Sequence, residues 1–325
     1  MKICVIGCGW IAGAMHLPSI AALKEKGADL EVCAVADVDI NRAKELADKF
    51  EVPRAYGDYY EMLAKEKPDA VLCLTSVHAT CKVSVDVLEA GIPLFLEKPP
   101  GVNPAEHEAM ASAAAKTKTP HMVAFNRRHM PVMTRLKELA EGKISHISYE
   151  MVRRNRFEND FASTAIHAVD TTLWLAGSPV KKTEIIYKEM PALGENVANY
   201  FLYFDFESGA SADIRIVVNA QESYEKATAH TPTRTLHCAA PMGIYMGGKG
   251  RVSLVENNAE VSCEAGTKFC ETEFEFETNG FLKENEVFFD CLTRGERPAD
   301  DIESARQSVL VCDLIRKRVN KWERN

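Results

Sequence analysis

The first thirteen residues read Met1-Lys-Ile-Cys-Val-Ile-Gly-Cys-Gly-Trp-Ile-Ala-Gly13, an apolar run from Ile3 to Ile6 that ends directly in Gly7-x-Gly9-x-x-Ala12. Those residue types at that spacing suit a diphosphate. Gly7 permits a tight strand-to-helix turn, Gly9 lets the backbone approach phosphate with no Cβ in the way, and Ala12 lets the helix pack closely on its strand. The helix that starts there offers free amide donors and the positive end of its dipole. Such a turn alone is equally compatible with being only a turn. A second feature is Leu30-Glu-Val-Cys-Ala-Val-Ala-Asp37, an apolar run closed by a carboxylate that can accept both hydroxyls of a ribose. The alternative, that Asp37 caps the next helix, is weakened because Asp39 already stands at the capping position. A carboxylate at Asp37 repels a 2′-phosphate and so favours NAD(H) over NADP(H). The nearest downstream arginine, Arg42, is expected to face away by about a turn unless the loop folds back.

The elements needed to position these groups follow in order. After the helix Ala12 to Lys26 and the strand ending at Asp37 come a helix from Ile40 to Phe50, a short strand near Ala55, and a helix from Tyr59 to Glu66 capped by Asp58. A strand from Ala70 to Thr75, a helix from Lys82 to Ala90 closed by Gly91, and a strand from Pro93 to Glu97 continue the alternation. Asn103-Pro104-Ala-Glu106 combines a cap residue, a proline at the first helical position and an early glutamate, and opens a helix to Ala115 before the strand Pro120 to Phe125. This pattern predicts a doubly wound parallel sheet over residues 1–121, a Rossmann α/β domain. Residues 122–325 read differently: a helix from Pro131 to Glu141, a strand from Ile144 to Arg153, and a helix from Thr164 to Ala176. Strand-like runs follow at Lys182–Tyr187, Tyr200–Glu207, Ala210–Val218, Arg234–Ala239, Gly250–Val255 and Thr272–Glu277. Turn signals such as Ser208-Gly209 and Gly247-Gly248 join them, and helices from Asn279 to Arg294 and Ile302 to Val319 close the chain. The expectation is a C-terminal α+β domain with a largely antiparallel, open sheet.

Composition narrows the class of protein. With 325 residues, 46% hydrophobic and 26% charged, the chain has material for about two domains. A net charge of −8 argues against nucleic acid or an anionic membrane as partner. No apolar run approaches the roughly 20 residues that span a bilayer, and the first strand leaves no room for a secretory signal before it, so a cytoplasmic enzyme is expected. Ten cysteines contain no C-x-x-C pair. Cys4, Cys33 and Cys73 fall inside apolar strands and read as buried thiols, no metal is expected, and Cys8 in the phosphate turn is the cysteine expected to be exposed.

At Glu97-Lys98-Pro99 the sequence comes to resemble the glucose–fructose oxidoreductase and inositol dehydrogenase family, Gfo/Idh/MocA. The resemblance spans nearly the whole chain through Gly7-Cys-Gly-Trp-Ile-Ala12, His16-Leu-Pro18, Asp37, Glu97-Lys-Pro99, Phe125-Asn-Arg-Arg128 and the pair His167-x-x-Asp170. It implies an NAD(H)-dependent oxidoreductase acting on a hydroxyl or carbonyl carbon of a sugar, polyol or related compound. Lys98, His167 and Asp170 are its implied catalytic set, with Glu97 orienting Lys98. The cofactor would be held by Gly7, Gly9, Trp10, Ile11, Ala12, Asp37, Thr75, Ser76, His78, Glu97, Lys98 and Asn126, and the substrate by Lys98, Arg127, Arg154, Ser163 and His167. The residues read the same way. Lys98 ends a parallel strand, where open α/β sheets bind ligands, and its ammonium can stabilise negative charge developing on a substrate oxygen. An imidazole ordinarily titrates near neutral pH, which suits His167 to move a hydroxyl proton. Asp170, on the same helical face, either orients His167 or holds the helix to Arg127 or Arg128.

The sequence departs from the family pattern at two places. Many members carry a carboxylate one turn before the histidine, where this chain has Ser163. In the loop after the fourth strand, Thr80 occupies a usual histidine position, and His78 either takes over part of that role or faces solvent. The basic loop Arg153 to Arg156, with Phe157 and Phe161, is either a grip for an acidic group or a solvated charged loop. Two further functions stay open: an NAD-binding sensor without turnover, and a glycosidase that uses tightly bound NAD. A homodimer or homotetramer is expected from the open sheet.

Overall fold

Each apolar run of the first 125 residues becomes a strand of one sheet: β1 (Lys2–Ile6), β2 (Glu31–Ala36), β3 (Ala55–Tyr56), β4 (Ala70–Cys73), β5 (Leu94–Glu97) and β6 (His121–Ala124). Between them lie α1 (Leu17–Glu25), α2 (Ile40–Phe50), α3 (Tyr59–Glu66), α4 (Val77–Glu89) and α5 (Pro104–Thr117). The computed structural model describes residues 1–142, 144–242 and 249–324, so the turn expected at Gly247-Gly248 lies outside the described residues. The strand order is β3-β2-β1-β4-β5-β6, with every pairing parallel. Ile3, Val5, Val71, Leu72, Leu94 and Phe95 are wholly buried, as strands covered on both faces require. The order reverses between β1 and β4, which opens a crevice at their carboxyl ends. Asp39, Asp58 and Asn103 cap α2, α3 and α5 by accepting from Asn41, Tyr60 and Glu106 amides. The first helix is not regular throughout. A π-helical turn covers Ala12–His16, because Pro18 has no N–H to give the carbonyl four residues before it.

The later elements are α6 (Asn126–His129), α7 (Pro131–Ala140), β7 (His146–Arg154), α8 (Ala162–Ala176), β8 (Val180–Glu189), β9 (Ala198–Phe206), β10 (Ser211–Ala220), β11 (Tyr224–His230), β12 (Thr235–Ala239), β13 (Arg251–Glu256) and β14 (Ala259–Ala265). They end with α9 (Glu275–Thr278), α10 (Phe281–Arg294), α11 (Arg306–Arg316) and β15 (Lys321–Glu323). Among the described residues these strands form a second sheet, ordered β14-β13-β12-β11-β7-β10-β9-β8-β15. It is antiparallel except where β7 and β10 run parallel. Burial alternates along β9, with Tyr200, Leu202, Phe204 and Phe206 inward, so one face carries the core and meets α8 and α7.

The chain divides into two compact units, Met1–Phe125 with Phe281–Val309, and Asn126–Gly280 with Leu310–Asn325. The expected boundary at 121 is therefore moved to 125, and α10 returns to the first unit, where its apolar face packs against α1. The strand expected at Thr272–Glu277 is a turn followed by α9. The Glu277 carboxylate accepts from the Glu271 and Thr272 amides at 2.7 and 2.8 Å and from the Thr272 hydroxyl, so the alternating pattern curls on itself instead of pairing. Strands β11, β14 and β15 were not foreseen; short, polar segments give little period-two signal.

Candidate functional site

The first unit holds a cleft of about 410 Å³ at the switch point, lined by Gly7, Gly9, Asp37, Thr75 and Ser76 among others. Gly7 takes φ +97°, and a Cβ there would sit 2.5 Å from the Leu74 carbonyl oxygen, so no other residue fits the turn. A Cβ on Gly9 would meet nothing within 4 Å, because this backbone faces open space. The pair forms a cradle shaped for the backbone contact that a dinucleotide diphosphate needs. Ala12 is wholly buried, while Trp10 is 71% exposed and Ile11 partly so. Asp37 is fixed at the rim: its carboxylate accepts from the Cys8 amide at 2.8 Å and the Asp39 amide at 2.9 Å. The glycine turn and the Asp37 carboxylate are thus one hydrogen-bonded piece.

One expectation changes here and two alternatives are narrowed. Arg42 lines the same cleft as Asp37 rather than facing away; α2 begins close enough to Asp37 to carry it back, with its Nε 3.6 Å from Asp39. Cys8 is buried, its thiol lying 3.6 Å from the Ala36 carbonyl, and burial together with the Asp37 charge pushes the thiol up to about 12. His78 is exposed on the first turn of α4, and Ala79 lines the cleft in its neighbourhood. Thr80 is buried and braces the loop, with its hydroxyl 3.2 Å from that of Thr75 and 3.1 Å from the Ser76 carbonyl.

β5 delivers Glu97 and Lys98 at its carboxyl end. Lys98 is half-buried, and its amide donates to Glu97 Oε2 at 3.2 Å. The other Glu97 oxygen lies 3.0 Å from His16 Nε2.

The second unit gathers a buried charged network around His167. Arg127, on α6, donates to both Glu225 oxygens (Nη2 at 2.8 Å, Nε at 3.3 Å) and to Asn126 Oδ1 at 2.9 Å. Its Nη1 stands 3.3 Å from His167 Nε2. A guanidinium carries donors only, so this contact assigns the lone pair to Nε2. Glu225 is wholly buried on β11 and also accepts from Arg153 and, at 2.5 Å, from the Tyr149 hydroxyl. Burial pushes its carboxyl up, but the two guanidiniums outweigh that and hold it well below the usual range. Tyr149 moves the other way, raised by burial and by the Glu225 charge.

Asp170 takes Arg128 in a two-point pair, Nε to Oδ2 at 2.9 Å and Nη2 to Oδ1 at 2.7 Å, joining α8 to α6. Asn126 is buried, and its amide donates to the Asn279 carbonyl at 2.9 Å. Ser163 donates to Asp160 at 2.7 Å and accepts from Arg316 at 2.9 Å. The charge missing at position 163 is therefore present one turn earlier, at Asp160, and is clamped by Arg316. The basic loop disperses: Arg153 turns inward to Glu225 and Arg156 pairs with Glu158, which leaves Arg154 exposed. Glu225 and Arg153 escaped sequence reasoning as a pair. The signal was a carboxylate in line with Ala227 and Ala229, two and four residues on, at the inward positions of an alternating strand, which calls for a buried cation.

Comparison with known proteins places these features. Residues 1–125 match the family described as an oxidoreductase family with an NAD-binding Rossmann fold, GFO_IDH_MocA. The inositol 2-dehydrogenase of Burkholderia lata is 30% identical over 239 residues, covering 69% of each chain. Among solved structures, a dehydrogenase from Clostridium difficile superposes with a TM-score of 0.83 at 19% identity, over 98% of this chain and 99% of that one. An oxidoreductase from Agrobacterium radiobacter, in complex with NAD+, L-tartaric acid and magnesium, gives 0.80 at 17% identity over 99% and 98%.

Proposed function

This chain belongs to the Gfo/Idh/MocA family of oxidoreductases, and from that premise we propose that it is an NAD(H)-dependent dehydrogenase acting on a CH–OH carbon of a sugar, polyol or related compound. The observation that carries the reading is the cleft of the first unit: a turn that admits only glycine, an open backbone at Gly9, and Asp37 anchored at its rim. Gly7, Gly9 and Ala12 would hold the diphosphate and Asp37 the adenosine ribose, whose free 2′-hydroxyl it accepts. Trp10, Ile11, Thr75, Ser76, Glu97, Lys98 and Asn126 complete the proposed cofactor set. A bound nicotinamide supplies the hydride acceptor or donor.

The remaining chemistry belongs to the chain. Lys98 donates a hydrogen bond to the substrate oxygen and stabilises negative charge as it develops there. His167 takes the hydroxyl proton in oxidation, the substrate hydroxyl replacing Arg127 Nη1 as the partner of the Nε2 lone pair, and returns it in reduction. Arg127, Arg154 and Ser163 are the further substrate contacts we assign, and Asp170 serves by fixing the helix that carries His167 to Arg128. The polyol class rests on the named inositol 2-dehydrogenase relative. Assembly as a homodimer or homotetramer through the open face of the second sheet accompanies this reading, and light scattering measures it.

The test is direct: NAD+ or NADH is added with a panel of sugars and polyols that includes myo-inositol, and the absorbance of reduced nicotinamide is followed. Substrate-dependent change in that band is expected. Firm NADH binding with no turnover across the panel would replace the proposal with a sensor. Sugar release without net cofactor change would replace it with a glycosidase.

A further inference from the structure

His16 is a histidine that the cofactor cleft does not use, yet it is wholly buried and fully engaged. It sits in the π-helical turn, edge-on to Phe95 on one side (5.3 Å between centroids) and Phe281 on the other (5.5 Å). Its Nε2 lies 3.0 Å from Glu97 Oε1, and its Nδ1 lies 3.1 Å from Asn285 Nδ2. Asn285, on α10, is 269 residues away in sequence but within the same compact unit.

The hydrogen bonds fix the direction of the chain. Asn285 Nδ2 also donates to the Phe281 carbonyl at 2.8 Å, and a carbonyl can only accept, so the amide nitrogen must be on that side. Its second hydrogen then points to His16 Nδ1, which must be the acceptor. The ring proton is left on Nε2 and is given to Glu97 Oε1. Glu97 Oε2 in turn accepts from the Lys98 amide at 3.2 Å. The amide orientation has a cost, since Asn285 Oδ1 is buried with no hydrogen-bond partner. A group tolerated in that state is one whose other end is needed.

We propose that Asn285 and His16 are positioning residues for the reaction: through the directed chain Asn285–His16–Glu97 they hold the carboxylate that fixes the backbone of Lys98 at the end of β5. The inference rests on the reading of Lys98 as the group that touches the substrate oxygen. It gives α10 a purpose beyond packing, because the tautomer of His16 is set from that helix. The sandwich of Phe95 and Phe281 keeps water away, so no solvent molecule replaces a lost donor.

The experiment compares His16→Leu, Asn285→Leu and His16→Gln with the parent chain in steady-state polyol oxidation, NADH binding and thermal melting. His16→Leu removes the donor to Glu97, whereas His16→Gln keeps an N–H that can reach it. A hydrogen bond to a charged group typically carries enough free energy for a loss of about tenfold or more. The expected result is that kcat falls by about that much in both leucine variants, KM and NADH affinity stay within about threefold, and His16→Gln recovers most of the rate. Full kcat in His16→Leu overturns the proposal. So does a loss in which kcat, NADH affinity and melting temperature fall together and His16→Gln recovers none, because that is the behaviour of a merely structural group. A long-range ¹⁵N–¹H spectrum of His16 reads the chain independently of turnover: a proton on Nε2 with Nδ1 bare is expected, and a proton on Nδ1 overturns it. If the parent turns over no substrate of the panel while this spectrum is as expected, the proposed function has failed and the directed chain stands.

Discussion

Glu225→Gln tests whether the charged network of the second unit is held by one carboxylate. Glu225 is wholly buried and faces Arg127, Arg153 and the Tyr149 hydroxyl. Glutamine keeps the shape but removes the charge, which leaves two guanidiniums, themselves nearly buried, with no counter-ion at that point. Breaking a buried pair by removing one partner costs about 3–5 kcal/mol. The loss should be local, so the assay is hydrogen exchange by mass spectrometry on peptides covering β7 and β11, with β1 and β5 as internal control. At about 1.4 kcal/mol per decade, the β7 and β11 amides should exchange about two to nearly four decades faster while β1 and β5 do not change.

The pH dependence has a definite sign. The folded carboxyl is held below its unfolded value of 4.5, so its stabilisation is fully present above that pH and is lost as pH falls towards the folded value. The gap between parent and variant should therefore be constant near neutrality and shrink below pH 4.5, by about 1.4 kcal/mol per pH unit. An exchange difference under one decade at neutral pH, or a gap that grows on acidification, would refute the reasoning.

Three further outcomes are expected. Lys98→Ala should lose most turnover, about 2.7–4 kcal/mol in the barrier, with NADH affinity falling far less than turnover; a near-full rate would mean the substrate oxygen is addressed elsewhere. The parent should bind NADH more tightly than NADPH, and Asp37→Ser should narrow or invert the ratio because it leaves Arg42 in the same cleft without the repelling carboxylate; equal affinities in the parent, read by fluorescence titration, would remove Asp37 from that role. Gly7→Ala should abolish tight NADH binding, because its Cβ would meet backbone at 2.5 Å and φ +97° strains any side chain; calorimetry showing parental affinity would refute the cradle.

Much of the first unit was legible because its signals are local. Period and punctuation place β1 to β6, and Asn103 with Glu106 announces its own helix: Asn103 accepts from the Glu106 amide, and Glu106 accepts from the amide of Val102, one residue before the cap, at 3.0 Å. The phosphate turn was equally plain, since only glycine survives at Gly7 and the next strand must end near it. Where the reading erred or left a choice, a contact outside the local pattern decided. Arg42 joins the cleft of Asp37 by the exception the sequence left open, because helical spacing fixes angles around an axis but not where the axis starts. Thr272–Glu277 alternates like a strand, yet the Glu277 carboxylate captured its own upstream amides.

By itself, then, the sequence determined the parallel Rossmann sheet, the glycine turn, the carboxylate at Asp37 and the Glu97-Lys98 strand end. All of these depend on residues within a few positions of one another, where backbone sterics and hydrogen bonding leave little choice. Only the tertiary structure decided that α10 belongs to the first unit, that Asn285 sets the proton of His16, that Asp170 pairs with Arg128, and that Glu225 collects two arginines from distant segments. Those are pairings of buried charges and polar groups. Burial demands that each find a partner, but it does not say which one, and that choice is made only when the chain has closed around them.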